Sequence, residues 1–134
     1  MKFSNQVTLT YEQGRLTNDL GEIPLSKGLY AFIVEVDNSN IILYVGKSVG
    51  DDRLRQHLTG NNKDGTKLSE SVSTKYNNIM SAINEGRTVK LSVYQNQDFT
   101  MASLAGLEIA CIEKAKKDLQ GLQCGIESWN ERIG

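Results

Sequence analysis

The chain has 134 residues, of which 39% are apolar, and this suits one domain built around one compact core. No run of about 18 apolar residues occurs, which excludes a transmembrane helix. The net charge of −1 does not point to a nucleic-acid-binding protein, and the two cysteines, without a CxxC pair, argue against a zinc site. The first residues lack the continuous apolar stretch of a signal peptide, so we expect the protein in the cytoplasm.

The charged residues are unevenly distributed along the chain. Residues 53–90 contain seven basic and three acidic side chains, a local charge of +4, so the remaining residues together carry −5. A basic segment of this kind can follow a phosphate backbone. An ordinary solvated surface explains the same charges, so composition alone leaves both interpretations open.

Three strands are predicted before the first helix. Residues 6–12 alternate polar and apolar side chains, which predicts a short edge strand. Residues 29–36 and 41–46 are rich in β-forming residues and predict a hairpin, with the polar residues 37–40 as its turn.

Three helices and one more strand follow. Asp51 is suited to cap a short helix, and the polar segment 59–73 predicts a mobile loop. Residues 73–86 have apolar side chains at helical spacing and end at a glycine, which predicts an amphipathic helix. Residues 88–95 predict a further strand, and residues 101–119 predict the last helix. The buried stripe of that last helix is predicted to consist of Leu104, Leu107, Cys111, Ala115 and Leu119.

The order β–β–β–α–α–β–α predicts an α+β fold, in which a small, mostly antiparallel sheet is flanked by helices. No linker or internal repeat divides the chain, so residues 1–134 are predicted to form a single domain.

One end of the predicted hairpin brings chemically active side chains together. Pairing of its two strands makes Tyr30 and Tyr44 near neighbours. Gly28 and Gly46 flank these tyrosines, and glycine allows another backbone or a ligand to approach closely. Lys47 follows directly, and its ammonium group adds a positive charge at the same end.

The predicted short helix adds two more groups. Arg53 and His57 are four residues apart and therefore share one helix face. Two phenols, an ammonium group, a guanidinium group and the single imidazole of the chain form a site suited to an oxyanion, above all a phosphate.

These residues resemble the motif of the GIY-YIG nucleases. The resemblance consists of Gly28-Leu29-Tyr30, Tyr44-Val45-Gly46-Lys47-Ser48, Arg53-x-x-x-His57, a helix with Glu108 and a late Trp129-Asn130. It covers residues 28–130 as the family core and leaves residues 1–27 as an N-terminal extension. The resemblance implies a three-stranded, mostly antiparallel sheet flanked by helices, to which the predicted N-terminal strand is an addition.

The resemblance also implies roles for individual side chains. Glu108 would be the lone protein ligand of one Mg²⁺ or Mn²⁺ ion, with water and phosphate oxygens completing its coordination. Arg53 would bind the scissile phosphate and stabilise the charge of the transition state. Tyr30 is the candidate general base, and because a free phenol has a pKa of about 10, this role requires a cation beside it. His57 would orient Tyr30 or accept the proton itself, and Tyr44 would donate a hydrogen bond to a phosphate oxygen.

Three more residues are assigned to substrate binding. Lys47 would contact the phosphate or lower a neighbouring pKa, Arg55 would reach a neighbouring phosphate, and Asn130 would brace the site through its amide. A plain surface lysine and a turn-forming asparagine are the alternatives for Lys47 and Asn130. Gly28 and Gly46 are assigned structural roles.

The resemblance therefore implies a divalent-metal-dependent endonuclease that hydrolyses phosphodiester bonds in DNA by a single-metal mechanism, with RNA as an open alternative. A non-catalytic nucleic-acid-binding module on the same fold is one alternative, and a small protein-interaction domain is another. Sequence specificity would have to come from loops such as 59–73 or from a homodimer, because no additional DNA-reading motif is visible.

Overall fold

The computed structural model describes residues 6–18, 28–48, 53–62, 64–69, 74–95, 101–122 and 126–130. Its elements, in chain order, are β1 (Val7–Thr8), β2 (Tyr11–Glu12), β3 (Arg15–Leu16), β4 (Gly28–Val36), β5 (Ser39–Ser48), α1 (Arg53–Thr59), α2 (Thr74–Asn84), β6 (Val89–Gln95) and α3 (Met101–Leu122). The predicted α+β class, with a small antiparallel sheet and helices beside it, is confirmed.

Four strands form the main sheet in the order β1-β6-β4-β5, and each neighbouring pair is antiparallel. The predicted N-terminal addition is the edge strand β1, where Val7 pairs with Leu91. Strand β4 lies between β5 and β6, so a side chain near its start is surrounded by the sheet on both sides. This central strand positions the candidate site described below.

The hairpin between β4 and β5 is longer and its turn is tighter than predicted. Val36 pairs with Ser39, so the turn is Asp37-Asn38 rather than residues 37–40. Both turn residues have positive φ, at 50° and 66°, as a type I′ hairpin turn requires. Asp and Asn tolerate this backbone conformation better than other side chains, which allows the strands to extend to the turn.

The N-terminal segment contains a second hairpin that the alternation of residues 6–12 did not predict. Strand β2 pairs with β3, and Gln13-Gly14 forms the turn with φ values of 52° and 78°. The predicted single strand is therefore interrupted after Thr8. The Tyr11 hydroxyl donates a 2.6 Å hydrogen bond to the Leu58 carbonyl, which attaches this hairpin to α1.

One face of the sheet packs against α1 and α2. Strand alternation puts Tyr30, Phe32 and Val34 on this face, where they belong to one buried cluster with residues of both helices. Its helical members are Leu54 and Leu58 of α1, Ile79 and Ala82 of α2, and Leu119 of α3. Helix α2 ends at Asn84, and the predicted terminating glycine, Gly86, follows two residues later with a φ of 84° and an N–H that donates to the Ile83 carbonyl.

Helix α3 packs against β5 and β4, but its buried stripe differs from the predicted one. Among the α3 side chains that the structure describes, Glu108, Ile112 and Leu119 are buried, at helical spacing of four and seven residues. Leu107, Cys111 and Ala115 are only half-buried, and the side chain of Leu104 lies outside the described residues. The predicted stripe was assigned from the apolar residues, whereas the helix buries the polar Glu108 against the sheet.

Segment 59–73 was predicted to be a mobile loop, but its described part is tied together by hydrogen bonds. Asn61 and Lys67 form an antiparallel bridge, and the Leu68 N–H donates to the Gly60 carbonyl. Asp51, the predicted helix cap, lies outside the described residues. Among the helices described, none is long and apolar enough to cross a membrane.

Candidate active site

Three polar rings meet at one end of the sheet. The ring centroids of Tyr30 and Tyr44 are 6.0 Å apart, and those of Tyr44 and His57 are 5.6 Å apart in an edge-on arrangement. The Tyr30 and His57 centroids are 6.2 Å apart. Because β4, β5 and α1 each contribute one ring, the hairpin and the first helix together build this cluster.

Gly46 makes room for the ring of Tyr30, its pairing partner across the hairpin. A Cβ atom at position 46 would lie 2.5 Å from both Cζ and Oη of Tyr30, which is far inside van der Waals contact. We expected the flanking glycines to admit a ligand or another backbone. At Gly46 the space is instead occupied by the Tyr30 ring, while Gly28 is a buried backbone position that pairs with Ser48 and Gln95.

Glu108 is the buried carboxylate of the site, with 7% of its surface exposed. Burial raises the pKa of Glu108, while the charge of Lys47, a hydrogen bond from the Lys47 main-chain N–H and the charge of Arg53 act in the opposite direction. A buried carboxylate costs free energy unless positive charge or hydrogen bonds compensate it. The two cationic side chains thus stand beside an acid that the fold keeps away from water.

The hydroxyl groups of Tyr30 and Tyr44 also lie beside these charges. Burial, followed by the neighbouring Tyr44, raises the pKa of Tyr30 well above its usual range, and Arg53 lowers it to a smaller extent. Burial likewise raises the pKa of Tyr44. Both phenols therefore keep their protons near neutral pH. The Tyr30 hydroxyl interacts with that of Tyr44, but it makes no hydrogen bond of standard geometry within the described part of the chain.

Arg55 and Asn130, both assigned to substrate binding, have different surroundings. Arg55 is half-buried on α1 and is not among the charges that act on Tyr30, Tyr44 or Glu108. The amide of Asn130 bonds the main chain of β5: the Val45 N–H donates to Oδ1 at 2.9 Å, and Nδ2 donates to the Val45 carbonyl at 3.1 Å. This geometry corresponds to bracing of the strand that carries Tyr44.

Sequence reasoning did not single out Lys75, which lies against the site from α2. Its Nζ is 5.0 Å from the centroid of the Tyr44 ring and donates a 2.7 Å hydrogen bond to the Trp129 carbonyl. Lys75 belongs to no motif. Its position within the basic segment 53–90 is the one sequence feature that distinguishes it from an ordinary surface lysine. Its partners are 31 and 54 residues away in sequence, so no local pattern could reveal them.

The donor set of the site fits a hard divalent cation with few protein ligands. Within the described ranges, no group of three or more His, Cys, Asp and Glu side chains is arranged to hold a metal. Glu108 supplies a buried carboxylate, and Mg²⁺ commonly binds through one or two carboxylates together with waters and phosphate oxygens. Glu108 is accordingly the residue of this site that would hold such an ion.

The antiparallel sheet flanked by helices is shared with a solved structure, and this similarity concerns the fold. Among solved structures, the chain is similar to a point mutant of EndoII from bacteriophage T4, with a TM-score of 0.51 and 22% sequence identity. The match covers 95% of this chain and 88% of that chain. No family model and no curated protein sequence matches the chain.

Proposed function

We propose that this chain is a divalent-metal-dependent endonuclease that hydrolyses phosphodiester bonds in DNA. The observation that carries the proposal is the convergence of the buried Glu108 carboxylate with Lys47, Arg53 and two tyrosine hydroxyls. A pure binding surface does not need a buried carboxylate, whereas phosphodiester hydrolysis needs charge neutralisation at one phosphorus. The fold likeness to bacteriophage T4 EndoII supports the same class of activity.

Arg53 and Lys47 bind the scissile phosphate in this proposal. The planar guanidinium group of Arg53 suits two phosphate oxygens at once, and its charge stabilises the oxygens as they become more negative in the transition state. Tyr44 keeps its proton because burial raises its pKa, so its hydroxyl donates a hydrogen bond to a phosphate oxygen. A Mg²⁺ or Mn²⁺ ion held by Glu108 would supply Lewis-acid neutralisation of the same phosphate.

The attacking water transfers its proton to His57 or Tyr30 as its oxygen bonds to phosphorus, while the bond from phosphorus to the leaving 3′ oxygen breaks and that oxygen takes a proton from water. The raised pKa of Tyr30 makes its phenol a poor base by itself, so it serves as the base only when a cation beside it lowers that pKa. An imidazole changes its protonation state near neutral pH more readily than a phenol does. We therefore assign proton acceptance to His57 first, with Tyr30 holding the water in line for attack.

Cleavage of plasmid and defined oligonucleotides with Mg²⁺ tests the proposal. Glu108→Gln keeps the shape of the side chain and removes its charge, so we expect cleavage to fall by about 100-fold or more while DNA binding remains. Glu113→Gln changes an exposed carboxyl group on the same helix and should cut like the wild type.

Four outcomes would contradict the proposal in whole or in part. Equal cleavage by Glu108→Gln and the wild type would remove the metal role of Glu108. DNA binding without cleavage by the wild type would identify a non-catalytic module, and a lack of binding would point to a protein-interaction domain. Preferential cleavage of RNA oligonucleotides in the same panel would correct the substrate class.

A further inference from the structure

The C-terminal segment 126–130 braces strand β5 on both sides of Tyr44. The Trp129 N–H donates to the Leu43 carbonyl at 2.7 Å, and the amide of Asn130 makes two hydrogen bonds with Val45. Leu43 and Val45 are the chain neighbours of Tyr44, so their main-chain positions fix where the tyrosine ring begins. Movement of this segment would therefore move Tyr44.

Lys75 joins the same segment to α2. It is half-buried in the first turn of α2, and its ammonium group makes two contacts with this part of the molecule. One is the 2.7 Å hydrogen bond to the Trp129 carbonyl, and the other is the approach to within 5.0 Å of the Tyr44 ring centroid. A cation over an aromatic face contributes about 0.5–1 kcal/mol when exposed and more when desolvated.

We propose that Lys75 is a positioning residue, whose ammonium group clamps the C-terminal segment and the Tyr44 ring together so that the Tyr44 hydroxyl stays beside Glu108 and Arg53. The consequence for cleavage rests on the proposed nuclease function, whereas the clamp itself does not. A lysine that bound DNA phosphates would instead direct its ammonium group to solvent. Here that group is directed at a main-chain carbonyl and at the face of a ring.

The test compares Lys75→Met, which removes the charge and the donor, with Lys75→Arg, which retains both. Lys117→Met is the matched control, because Lys117 is an exposed lysine on α3. Trp129 is the single tryptophan of the chain, so its fluorescence emission and acrylamide quenching report on the clamp without any substrate. Cleavage kinetics at several salt concentrations form the second readout.

We expect Lys75→Met to shift the Trp129 emission and to increase its quenching, while far-UV circular dichroism stays that of the wild type. We expect kcat to fall by about 10- to 100-fold, as for other residues that orient a catalytic group, with KM and the salt dependence of binding unchanged. Lys75→Arg should restore both readouts to near wild-type values, and Lys117→Met should alter neither.

Two results would overturn the clamp. The first is a Trp129 emission and quenching in Lys75→Met that equal those of the wild type. The second is a loss that appears in KM, with a salt slope reduced by about one, which is the signature of a phosphate contact. If the wild type cleaves no nucleic acid, the proposed function fails, and the Trp129 measurements with Arg rescue still decide for or against the clamp.

Discussion

Gly46 has only a hydrogen atom where any other residue has a Cβ atom, and the ring of Tyr30 occupies the space that this leaves. Tyr30 is fully buried, yet its hydroxyl makes no standard hydrogen bond with the described residues. A buried hydroxyl without such a bond lowers stability, so its presence is easier to explain by chemistry than by folding. Glu108 is a second buried polar side chain that is easier to explain by chemistry than by folding, because its burial raises its pKa.

Gly46→Ala should displace the Tyr30 ring. The added carbon would lie 2.5 Å from ring atoms, so we expect a loss of about 1–3 kcal/mol in the free energy of unfolding, as for other overpacked sites, together with reduced cleavage. Gly106→Ala on α3 is the control, because its Cβ meets nothing within 4 Å and alanine favours the helix. Urea denaturation measures the free energy of unfolding of both variants. Equal stability of Gly46→Ala and Gly106→Ala would show that the Tyr30 ring can move aside without loss of stability.

Tyr30→Phe should separate stability from activity. Removal of the buried hydroxyl should leave the free energy of unfolding equal to or above that of the wild type, while cleavage falls by about 100-fold or more. Tyr11→Phe is the contrasting variant, because the Tyr11 hydroxyl donates to the Leu58 carbonyl at 2.6 Å. It should lose about 1 kcal/mol of stability and cut normally. A similar loss of stability in both variants would mean that the fold depends on the Tyr30 hydroxyl.

The raised pKa of Glu108 predicts how stability depends on pH in metal-free buffer. A group whose pKa is higher in the folded state stabilises the fold fully below its unfolded pKa, about 4.3 for glutamate, and loses that contribution as pH rises through the folded value. Glu108→Gln should therefore be more stable than the wild type at pH 7.5, and this difference should disappear below pH 4. Denaturation at both pH values measures this difference in the free energy of unfolding, with Glu113→Gln as the exposed control. A Glu108→Gln variant less stable than the wild type at pH 7.5 would contradict the destabilising effect of the buried charge.

At the scale of elements, strand β5 is held from three sides. It pairs with β4 along its length, α3 packs against it, and residues 128–130 bond its outer main chain. Because β5 carries both Tyr44 and Lys47, the rigidity of this strand determines how well two of the candidate site residues are positioned.

Asn130→Ala should weaken this arrangement. It removes two hydrogen bonds to Val45, each worth about 0.5–1.5 kcal/mol, so we expect a loss of about 1–3 kcal/mol in the free energy of unfolding. Asn77→Ala, at an exposed position of α2, should change stability by less than about 0.5 kcal/mol. Denaturant titrations followed by circular dichroism compare the two variants. A neutral Asn130→Ala would show that the segment is held by its other contacts.

The elements that repeat a local pattern could be predicted, and those that depend on distant partners could not. Helix α2 followed from its apolar spacing and Gly86, and strand β6 from its alternation. The inward turn of Glu108 could not be derived, because periodicity assigns apolar residues to the core and the compensating cations lie on β5 and α1. The contacts of Lys75 and Asn130 were hidden for the same reason, since they join residues that are 54 and 85 apart in sequence.

For the whole molecule, a buried cluster that includes strands β4, β5 and β6 and all three helices favours a single cooperative unit. The positive segment 53–90 supplies Arg53 and Lys75 to one end of this unit, although the chain as a whole carries a charge of −1. Local rather than net charge is therefore what would attract a phosphate backbone.

Unfolding in urea should be a single transition. Trp129 packs against the cluster and against Phe32, so its fluorescence should change at the same urea concentration as the far-UV circular dichroism of the strands and helices. Coincident curves would support residues 1–134 as one domain. An earlier fluorescence change would show that the C-terminal segment detaches before the sheet melts.

The side-chain amide of Asn130 has a consequence for self-association. It offers β5 the donor and the acceptor that a neighbouring strand would otherwise supply at Val45, and the Trp129 N–H supplies a further donor to the Leu43 carbonyl. An unpaired edge strand can pair with a strand of a second chain. Here the C-terminal segment 126–130 already occupies part of the outer edge of β5. Two copies could pair through their β5 strands only after these residues had detached from β5. The lost hydrogen bonds would make such a dimer less favourable.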